Sequence, residues 1–373
     1  MQTQFPYVNL SYGSRGFPTH TQGESLSTPP GAHTYAACMN QTGIKQLAVC
    51  GWDEYTAALV DALAERTDLR PVAIGDDRPA SLVRARAATG LPCYQHLREM
   101  LRAADYDAVL IGTTVDRESL VELTAMKGAA LLIRGDVANA DTLSAAAAAT
   151  IKTGNELHLV RPELQRSGID LLMNLVGGNP AWTPTLVAIE LTAANGTRAA
   201  LQSAAALALR LQGATATQAF ISEAGYNGHE ALLASVQIRH GDRALTTLLV
   251  RPGSDEACRV TIETPAGMAE LVARDGNAAL DIFPLEGDHT HTEFTDEDLM
   301  LAESTRIANA TGTRIDEVFA PHEAALLRAI ESSLATGFVA PVQDPGTRGS
   351  LRILEGGDHT TSRRRGHLHL IDG

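Results

Sequence analysis

The chain has 373 residues, a mass of 39.5 kDa and a formal net charge of -14 at pH 7. Its length suffices for two domains of ordinary size, and the acidic balance argues against a nucleic-acid partner, because phosphate binding depends on a basic surface. Apolar residues make up 44% of the chain, but no apolar run approaches the roughly 18 residues that a membrane span needs.

The cysteines and the first residues of the chain indicate the cellular compartment in which the protein is expected. Cys38, Cys50, Cys93 and Cys258 are widely spaced and form no CxxC motif, which is typical of buried thiols in a reducing environment. The N-terminus lacks the basic region and apolar region of a secretory signal, so we expect a cytoplasmic protein.

Both ends of the chain lack a sustained hydrophobic period. Residues 1–43 are rich in Gly, Ser, Thr, Pro and Gln, which predicts a flexible leader or arm. Residues 344–373 are rich in Gly, Asp, His and Arg and predict a C-terminal tail.

Residues 44–155 alternate short apolar runs with amphipathic stretches, which is typical of βαβ units and a parallel sheet. This pattern predicts a Rossmann-like nucleotide-binding domain. We expect strands at Gln46–Cys50, Arg70–Gly75, Ala108–Gly112 and Ala130–Ile133, and helices at Tyr55–Glu65, Ala80–Thr89, Leu97–Ala104, Arg117–Lys127 and Ala140–Thr153.

Residues 156–343 show a different pattern, in which several alternating strands and a few helices predict an α+β domain with an open, mostly antiparallel sheet. Leu186–Thr192 alternates as a half-buried strand, and residues 230–250 read as two strands joined by a turn at His240–Arg243. Helices are expected at Pro162–Val176, Asp296–Asn309 and Pro321–Thr336, the last with proline at its start.

The first strand leads into a turn that resembles part of a dinucleotide-binding fingerprint. Gly51 fills the first glycine position, while Asp53 and Thr56 stand at the second and third. Asp53 adds bulk and negative charge where a pyrophosphate would lie at the helix N-terminus. Asp76, 25 residues after Gly51, is placed to accept hydrogen bonds from a ribose. The alternative is a scaffold without cofactor, in which Asp53 caps the helix and Asp76 starts a turn.

Three stretches resemble the Gfo/Idh/MocA family of sugar and polyol dehydrogenases: Ile74–Asp77, Tyr106–Thr114 and His322–Gly337. The resemblance runs from about residue 45 to residue 341. It implies a Rossmann domain and an open-sheet domain, with NAD or NADP and the substrate meeting between them. It also implies a homo-oligomer that pairs its open sheets. The implied cofactor contacts come from Gly51, Trp52, Asp76, Thr113 and Thr114.

The departures from this family fall on its chemical positions. Its Glu-Lys-Pro loop aligns with Arg134-Gly135-Asp136, so the lysine is replaced by glycine. Its helix with the proton-transfer residues, Asp-x-x-x-His-x-x-Asp, aligns with residues 199–206 and places Ala199, Ser203 and Ala206 at those positions. None of these side chains is a general base near neutral pH.

The sequence therefore favours a non-catalytic or repurposed binding or assembly subunit, with weak or absent NAD(P) binding. Whether it is an enzyme stays open. The alternative is an NAD(P)-dependent oxidoreductase acting on a sugar or polyol derivative, with displaced catalytic groups or with groups supplied by a protein partner subunit. The candidates are Arg161, where the family places an arginine facing the cleft, and Tyr226 and His229 in a predicted loop of the second domain. Their ordinary interpretations are a charged helix start and incidental polar loop residues.

A weaker alternative is a metal-dependent lyase or hydrolase. His289 and His291, together with the tail histidines His359, His367 and His369, are residue types that bind metal. No third fixed ligand is visible near them, so no metal-binding residue is predicted.

Overall fold

The computed structural model describes residues 45–345, with gaps at 67–68, 167, 194–196, 214–215, 228–229, 242–243, 254–256, 275, 296–297 and 310–314. The chain divides into two units, Met1–Gly43 and Ile44–Gly373. The predicted leader, and the predicted tail from residue 346 onwards, lie outside the described residues. Within the described ranges, no helix is both long and apolar enough to cross a membrane.

The first sheet is parallel and has six strands in the order β3-β2-β1-β4-β5-β6, which is a doubly wound order. Helices cover both of its faces, so its strands are apolar on both sides. The strands are β1 (Lys45–Cys50), β2 (Leu69–Gly75), β3 (Cys93–Tyr94), β4 (Ala108–Ile111), β5 (Ala130–Arg134) and β6 (Leu157–Val160). The helices are α1 (Glu54–Arg66), α2 (Pro79–Thr89), α3 (Leu97–Ala103), α4 (Arg117–Lys127) and α5 (Ala140–Thr153).

In the described part of the chain, the second sheet has nine strands in the order β14-β13-β12-β11-β7-β10-β9-β8-β15. Among its described neighbours only β7 and β10 are parallel. Its strands are β7 (Leu186–Ala193), β8 (Ala216–Asn227), β9 (Glu230–His240), β10 (Ala244–Pro252), β11 (Ala257–Thr264), β12 (Gly267–Arg274), β13 (Asn277–Pro284), β14 (Thr290–Thr295) and β15 (Ala340–Pro341). The remaining helices are α6 (Ile169–Gly178), α7 (Thr197–Gln212), α8 (Leu299–Asn309) and α9 (Ile315–Thr336).

The predicted fold class is confirmed, with differences at three places. β6 pairs with β5, so the first sheet extends to Val160 instead of ending near residue 155. The predicted helix Pro162–Val176 is broken into a 3-10 helix, Pro162–Gln165, and α6. The break lies at Gly168, which has a φ of +92° and approaches Leu271 so closely that a Cβ would lie 2.6 Å from its Cδ1. A backbone in this left-handed conformation cannot continue a helix.

The third difference concerns Pro321, which lies inside α9 and not at its start. The first described turn of the helix contains Asp316, which is buried and bonded to the core. Asp316 accepts a hydrogen bond from the Leu159 N–H at 2.9 Å and one from Arg210 Nη2 at 2.8 Å.

The outer face of the second sheet carries charged pairs between its strands. Arg259 of β11 bonds to Glu270 of β12 at 2.5 Å, and the Arg259 side chain is 53% exposed. Apolar side chains such as Val272 and Phe283 are exposed at intervals on the same sheet. Pairing of two subunits through this face stays a prediction.

A buried network of ion pairs joins the first sheet to the C-terminal helices. Arg161 follows β6, and its guanidinium binds both carboxylate oxygens of Glu323 on α9, with Nη1 2.9 Å from Oε2. Both side chains are buried, and the Arg161 N–H donates to Glu303 of α8 at 2.9 Å. The network therefore fixes the end of β6 against α8 and α9.

Asp316 continues this network towards α7. Burial alone would raise the pKa of Asp316, but the neighbouring Arg306 and Arg210 hold it below its usual value. Arg306 also donates to Glu303 at 2.7 Å and to the Leu159 carbonyl at 3.0 Å. Each buried carboxylate thus has an arginine partner, which is the condition for charges to be tolerated in a core.

We expect Glu323→Ala to lower the free energy of unfolding by about 3–5 kcal/mol, because it leaves the buried Arg161 guanidinium without its carboxylate partner. Glu331→Ala is the matched control, since Glu331 lies on the same helix in an exposed pair with Arg198. Its expected cost is below about 1 kcal/mol. Chemical denaturation measures both, and equal costs would contradict the structural role of Glu323.

Candidate functional site

A cavity of 640 Å³ lies at the carboxyl end of the parallel sheet, between its loops and the second sheet. In open α/β sheets this edge is where ligands bind. The apolar part of its lining includes Leu164, Ile169, Leu191, Leu207, Cys258 and Met300. The polar part includes Asp53, Tyr55, Arg134, Asp136, Arg166 and Ser203.

The turn after β1 depends on Gly51. Its φ is +93°, and a Cβ at this position would lie 2.7 Å from the carbonyl oxygen of Gly112 at the end of β4. The Gly51 N–H donates to the Gly75 carbonyl at 2.7 Å. Only glycine combines this backbone conformation with so close an approach of the neighbouring strand.

Asp53 occupies the N-terminus of α1. Its Oδ1 accepts a hydrogen bond from the Thr56 N–H at 2.7 Å, which caps the helix. Both of its carboxylate oxygens also lie 2.7 Å from Nη1 of Arg134, the last residue of β5. The anion-attracting end of α1 is therefore occupied by a carboxylate of the protein itself.

The opposite edge of the Arg134 guanidinium binds Asp136. Nε donates to Oδ1 at 3.0 Å and Nη2 donates to Oδ2 at 2.5 Å. Arg134 also donates to the Thr56 hydroxyl at 2.6 Å and stacks over the ring of Tyr55 at 4.3 Å. The arginine is 3% exposed. The guanidinium is thus held between two carboxylates.

The charge of Arg134 sets the ionisation of Asp53. Burial alone would raise the pKa of Asp53, but the hydrogen bonds from Arg134 and from the Thr56 N–H, with the arginine's charge, hold it below its usual value. Asp53 is consequently ionised at neutral pH, and it is a weak base.

Asp76, the predicted ribose-binding residue, is buried, and protein donors surround its carboxylate. Oδ2 accepts from the Trp52 N–H at 2.6 Å and from Arg78 Nη2 at 2.9 Å. Oδ1 accepts from the Arg78 N–H at 2.8 Å and from Nε at 3.0 Å. Because a carboxylate offers about four acceptor positions, a ribose could bind Asp76 only by displacing these donors.

The other predicted cofactor residues are not part of the cavity lining. The Trp52 side chain is buried in the core beside β1, and Thr113 is buried, with its hydroxyl accepting from the Val115 N–H at 3.2 Å. Thr114 is exposed. Within the described part of the chain, Gly51, Trp52, Asp76, Thr113 and Thr114 are all absent from the cavity lining.

Of the three catalytic candidates, only Arg161 has a described side chain, and it is not part of the cavity lining. Arg161 points into the core, where Glu323 binds its guanidinium, so the expectation that it faces the cleft is corrected. Tyr226 lies within β8, where its backbone pairs with Ala231, and not in a loop. Its side chain and the whole of His229 lie outside the described residues.

Gly135, at the position that the sequence aligned with the lysine of the resembling family, lies against the side chain of Arg161. A Cβ on Gly135 would lie 2.6 Å from Cγ and 2.7 Å from Nε of Arg161. A lysine therefore does not fit at this position while Arg161 is paired with Glu323. The predicted helix, α7, does reach the cavity, where Ala199 and Ser203 are part of the lining.

The two histidines considered as metal ligands lie at the β13–β14 edge of the second sheet. Asp281 Oδ1 accepts from His289 Nε2 at 2.7 Å and from His291 Nδ1 at 2.8 Å. His289 stacks on Phe283, with 4.3 Å between the ring centroids. Among the residues the structure describes, no group of three or more His, Cys, Asp or Glu side chains is arranged to hold a metal ion. The tail histidines lie outside those residues.

Sequence reasoning found Asp53 but missed its partner. The available signal was the arginine directly before the glycine that replaces the family's lysine. Asp53 and Arg134 are 81 positions apart in the sequence, so only the adjacency of β1, β4 and β5 in the sheet brings them together.

The fold is similar to those of several solved oxidoreductases. One is an oxidoreductase from Agrobacterium radiobacter in complex with NAD+, L-tartaric acid and magnesium, with a TM-score of 0.66, 14% identity, and coverage of 80% of this chain and 98% of the other. Another is the WlbA dehydrogenase from Bordetella pertussis in complex with NADH and UDP-GlcNAcA, with a TM-score of 0.65, 16% identity, and coverage of 81% and 99%. A third is the apo scyllo-inositol dehydrogenase from Lactobacillus casei, with a TM-score of 0.63, 12% identity, and coverage of 80% and 98%.

No protein-family model matches the sequence, and no curated protein matches it either. At these identities the structural likeness establishes the fold. The architecture expected from the sequence resemblance is thereby confirmed.

We expect Gly135→Ala to lower the free energy of unfolding by about 1–3 kcal/mol, since the added methyl group overlaps the buried Arg161 side chain. Gly177→Ala is the matched control, because a Cβ on Gly177 meets no atom within 4 Å. The control should be neutral or slightly stabilising in its helix. Denaturant unfolding of the two variants measures the difference, and a neutral Gly135→Ala would contradict the steric account.

The lowered pKa values of Asp53 and Asp76 predict acid sensitivity. Their folded-state pKa values lie below the unfolded value of about 3.9, so their contribution to stability is complete above that pH. It is lost as the pH falls through the folded values, because the unfolded state then binds more protons. The free energy of unfolding should therefore decline below about pH 4. Asp76→Asn should reduce this slope in urea titrations from pH 7 to pH 3, and an unchanged slope would contradict the assignment.

Proposed function

We propose that this chain is a repurposed protein of the Gfo/Idh/MocA type that binds a small molecule in its cleft and does not transfer hydride with NAD(P). The ion pair between Asp53 and Arg134 carries this proposal. It occupies the helix N-terminus to which a dinucleotide of the Rossmann type would bring its pyrophosphate.

A pyrophosphate at the N-terminus of α1 would lie beside the carboxylates of Asp53 and Asp136. Like charges 4 Å apart repel by about 4 kcal/mol at an effective dielectric of 20. Arg134 could compensate a phosphate only by giving up its bonds to Asp53, whose Oδ1 also caps α1. Asp76 likewise has its acceptor positions occupied by Trp52 and Arg78. Both recognition points for the dinucleotide are therefore unfavourable.

The acid/base chemistry supports the same proposal. Oxidation of a carbinol needs a group that accepts the hydroxyl proton, and loss of such a group costs about 10²–10⁴-fold in rate. Gly135, Ala199 and Ser203 stand where the resembling family has its lysine and proton-transfer residues. Asp53 faces the cavity, but its lowered pKa makes it a poor proton acceptor.

The second candidate is an NAD(P)-dependent oxidoreductase acting on a sugar or polyol derivative. The observation in its favour is the shared fold with proteins solved in complex with NAD+ and NADH. This function would require the Asp53–Arg134 pair to open on cofactor binding. It would also require a proton-transfer group from Tyr226, His229 or a partner subunit.

Thermal unfolding in the presence of NAD+, NADH, NADP+ and NADPH separates the two candidates. Cofactor at a hundred times its dissociation constant adds about 2.7 kcal/mol of stability. We expect no shift for the wild-type chain at millimolar cofactor, and a stabilising shift for Asp53→Gly. That variant removes the carboxylate and its ion pair, costs only a few tenths of a kcal/mol as a helix cap, and leaves Arg134 paired with Asp136.

Asp116→Gly is the control, because Asp116 also precedes a helix and pairs with an arginine, Arg98, but is not part of the cavity lining. It should behave like the wild type in every cofactor. Stabilisation of the wild-type chain by any of the four dinucleotides would contradict the proposal and favour the oxidoreductase.

A further inference from the structure

The lining of the cleft also indicates what kind of molecule it binds, and this inference rests on the proposed function. We propose that the ligand is a small organic amine with an apolar body, bound as a cation, with its ammonium group at Asp53 and Asp136. Three features of the cavity support this proposal: its apolar wall, the hydrogen-bonding capacity of its floor, and the balance of its charges. The floor is formed by Asp53, Arg134 and Asp136.

The apolar wall comes from elements of both sheets. Leu164 and Ile169 follow β6, Leu191 lies on β7, and Leu207 projects from α7. The volume of 640 Å³ lies within the range of about 300–1,000 Å³ that is usual for small-molecule sites. A wall of this kind favours a ligand with an aliphatic or aromatic body, because its burial removes apolar surface from water.

The floor offers hydrogen-bond acceptors to the cavity. Asp53 Oδ1 accepts two hydrogen bonds, from Thr56 and Arg134, while Oδ2 accepts one. Each oxygen of Asp136 accepts one bond from Arg134. The Thr56 side chain also bonds to Asp53. Since a carboxylate oxygen has about two acceptor positions, two positions remain, both on Asp136. The two side chains are 37% and 34% exposed and line the cavity, so a ligand with several donors can reach them.

The charges favour a cation at this floor. The two carboxylates exceed the single charge of Arg134 by one negative charge. Elsewhere in the lining Glu54 and Asp298 balance Arg84 and Arg166. An ammonium group supplies three donors and one positive charge, whereas a carboxylate or phosphate would meet like charges. The net charge of -14 also attracts cations over longer distances.

Three probes with the same aromatic body and different head groups test the ligand class. We expect 2-phenylethylamine to bind the wild-type chain at least about tenfold more tightly than 2-phenylethanol or 3-phenylpropionate, because hydrogen bonds to charged groups are the stronger ones. Isothermal titration calorimetry at pH 7 measures all three. Addition of salt should weaken binding of the amine and leave that of the alcohol nearly unchanged.

Asp136→Asn should weaken binding of the amine about tenfold, since one of the two anionic acceptors becomes neutral. Binding of the alcohol should change by less than about twofold. Asp116→Asn is the matched control, because the Asp116 side chain is 37% exposed and pairs with Arg98 outside the cavity lining. Thermal unfolding of both variants shows whether they are folded.

Equal or tighter binding of 3-phenylpropionate would overturn the proposal and identify Arg166 or Arg84 as the head-group contact. Failure of all three probes to bind at millimolar concentration would overturn it as well. Neither outcome bears on the dinucleotide experiment, in which only binding of NAD(P) by the wild-type chain contradicts the proposed function.

Discussion

The guanidinium of Arg134 lies between the carboxylates of Asp53 and Asp136 at the carboxyl end of the parallel sheet. Much of the local structure accommodates this interaction. A Cβ on Gly112 would lie 3.0 Å from Arg134 Cδ and 2.9 Å from the Thr56 hydroxyl, so a glycine at the end of β4 leaves room for the arginine. The same Asp53 carboxylate caps α1. Arg134, the last residue of β5, thus joins this strand to α1 through the Asp53 carboxylate.

A second buried arginine, Arg161, forms the corresponding ion pair after β6. Its pairing with Glu323 fixes β6 against α9, and its side chain passes directly over Gly135. The space at Gly135 is therefore set by a distant part of the chain, because the buried pair with Glu323 of α9 holds Arg161 against this glycine. Internal ion pairs of the two arginines therefore hold together the loops at this end of the parallel sheet.

The order of elements in the fold could be predicted from the sequence. Helices Arg117–Lys127 and Ala140–Thr153 have the predicted bounds, and the strands of the first sheet differ by one residue at their ends. Local patterns suffice for this, since each element is marked by its own hydrophobic period. The two-residue strand Cys93–Tyr94 was missed because it is too short to show a period. The break at Gly168 was missed because its cause is the approach of Leu271, from a distant strand.

Some features of the candidate site could likewise be predicted from the sequence, and others could not. The sequence by itself determined the Rossmann-like frame and the glycine turn at Gly51, because these follow from local patterns in a recognisable order. Only the tertiary structure decided that Arg134 pairs with Asp53, that Arg78 and the Trp52 N–H fill the acceptor positions of Asp76, and that Arg161 is a buried structural residue. The sequence gives the charge of each side chain. Its hydrogen bonds, pKa and accessibility depend on its neighbours, and these belong to strands and helices that meet only on folding.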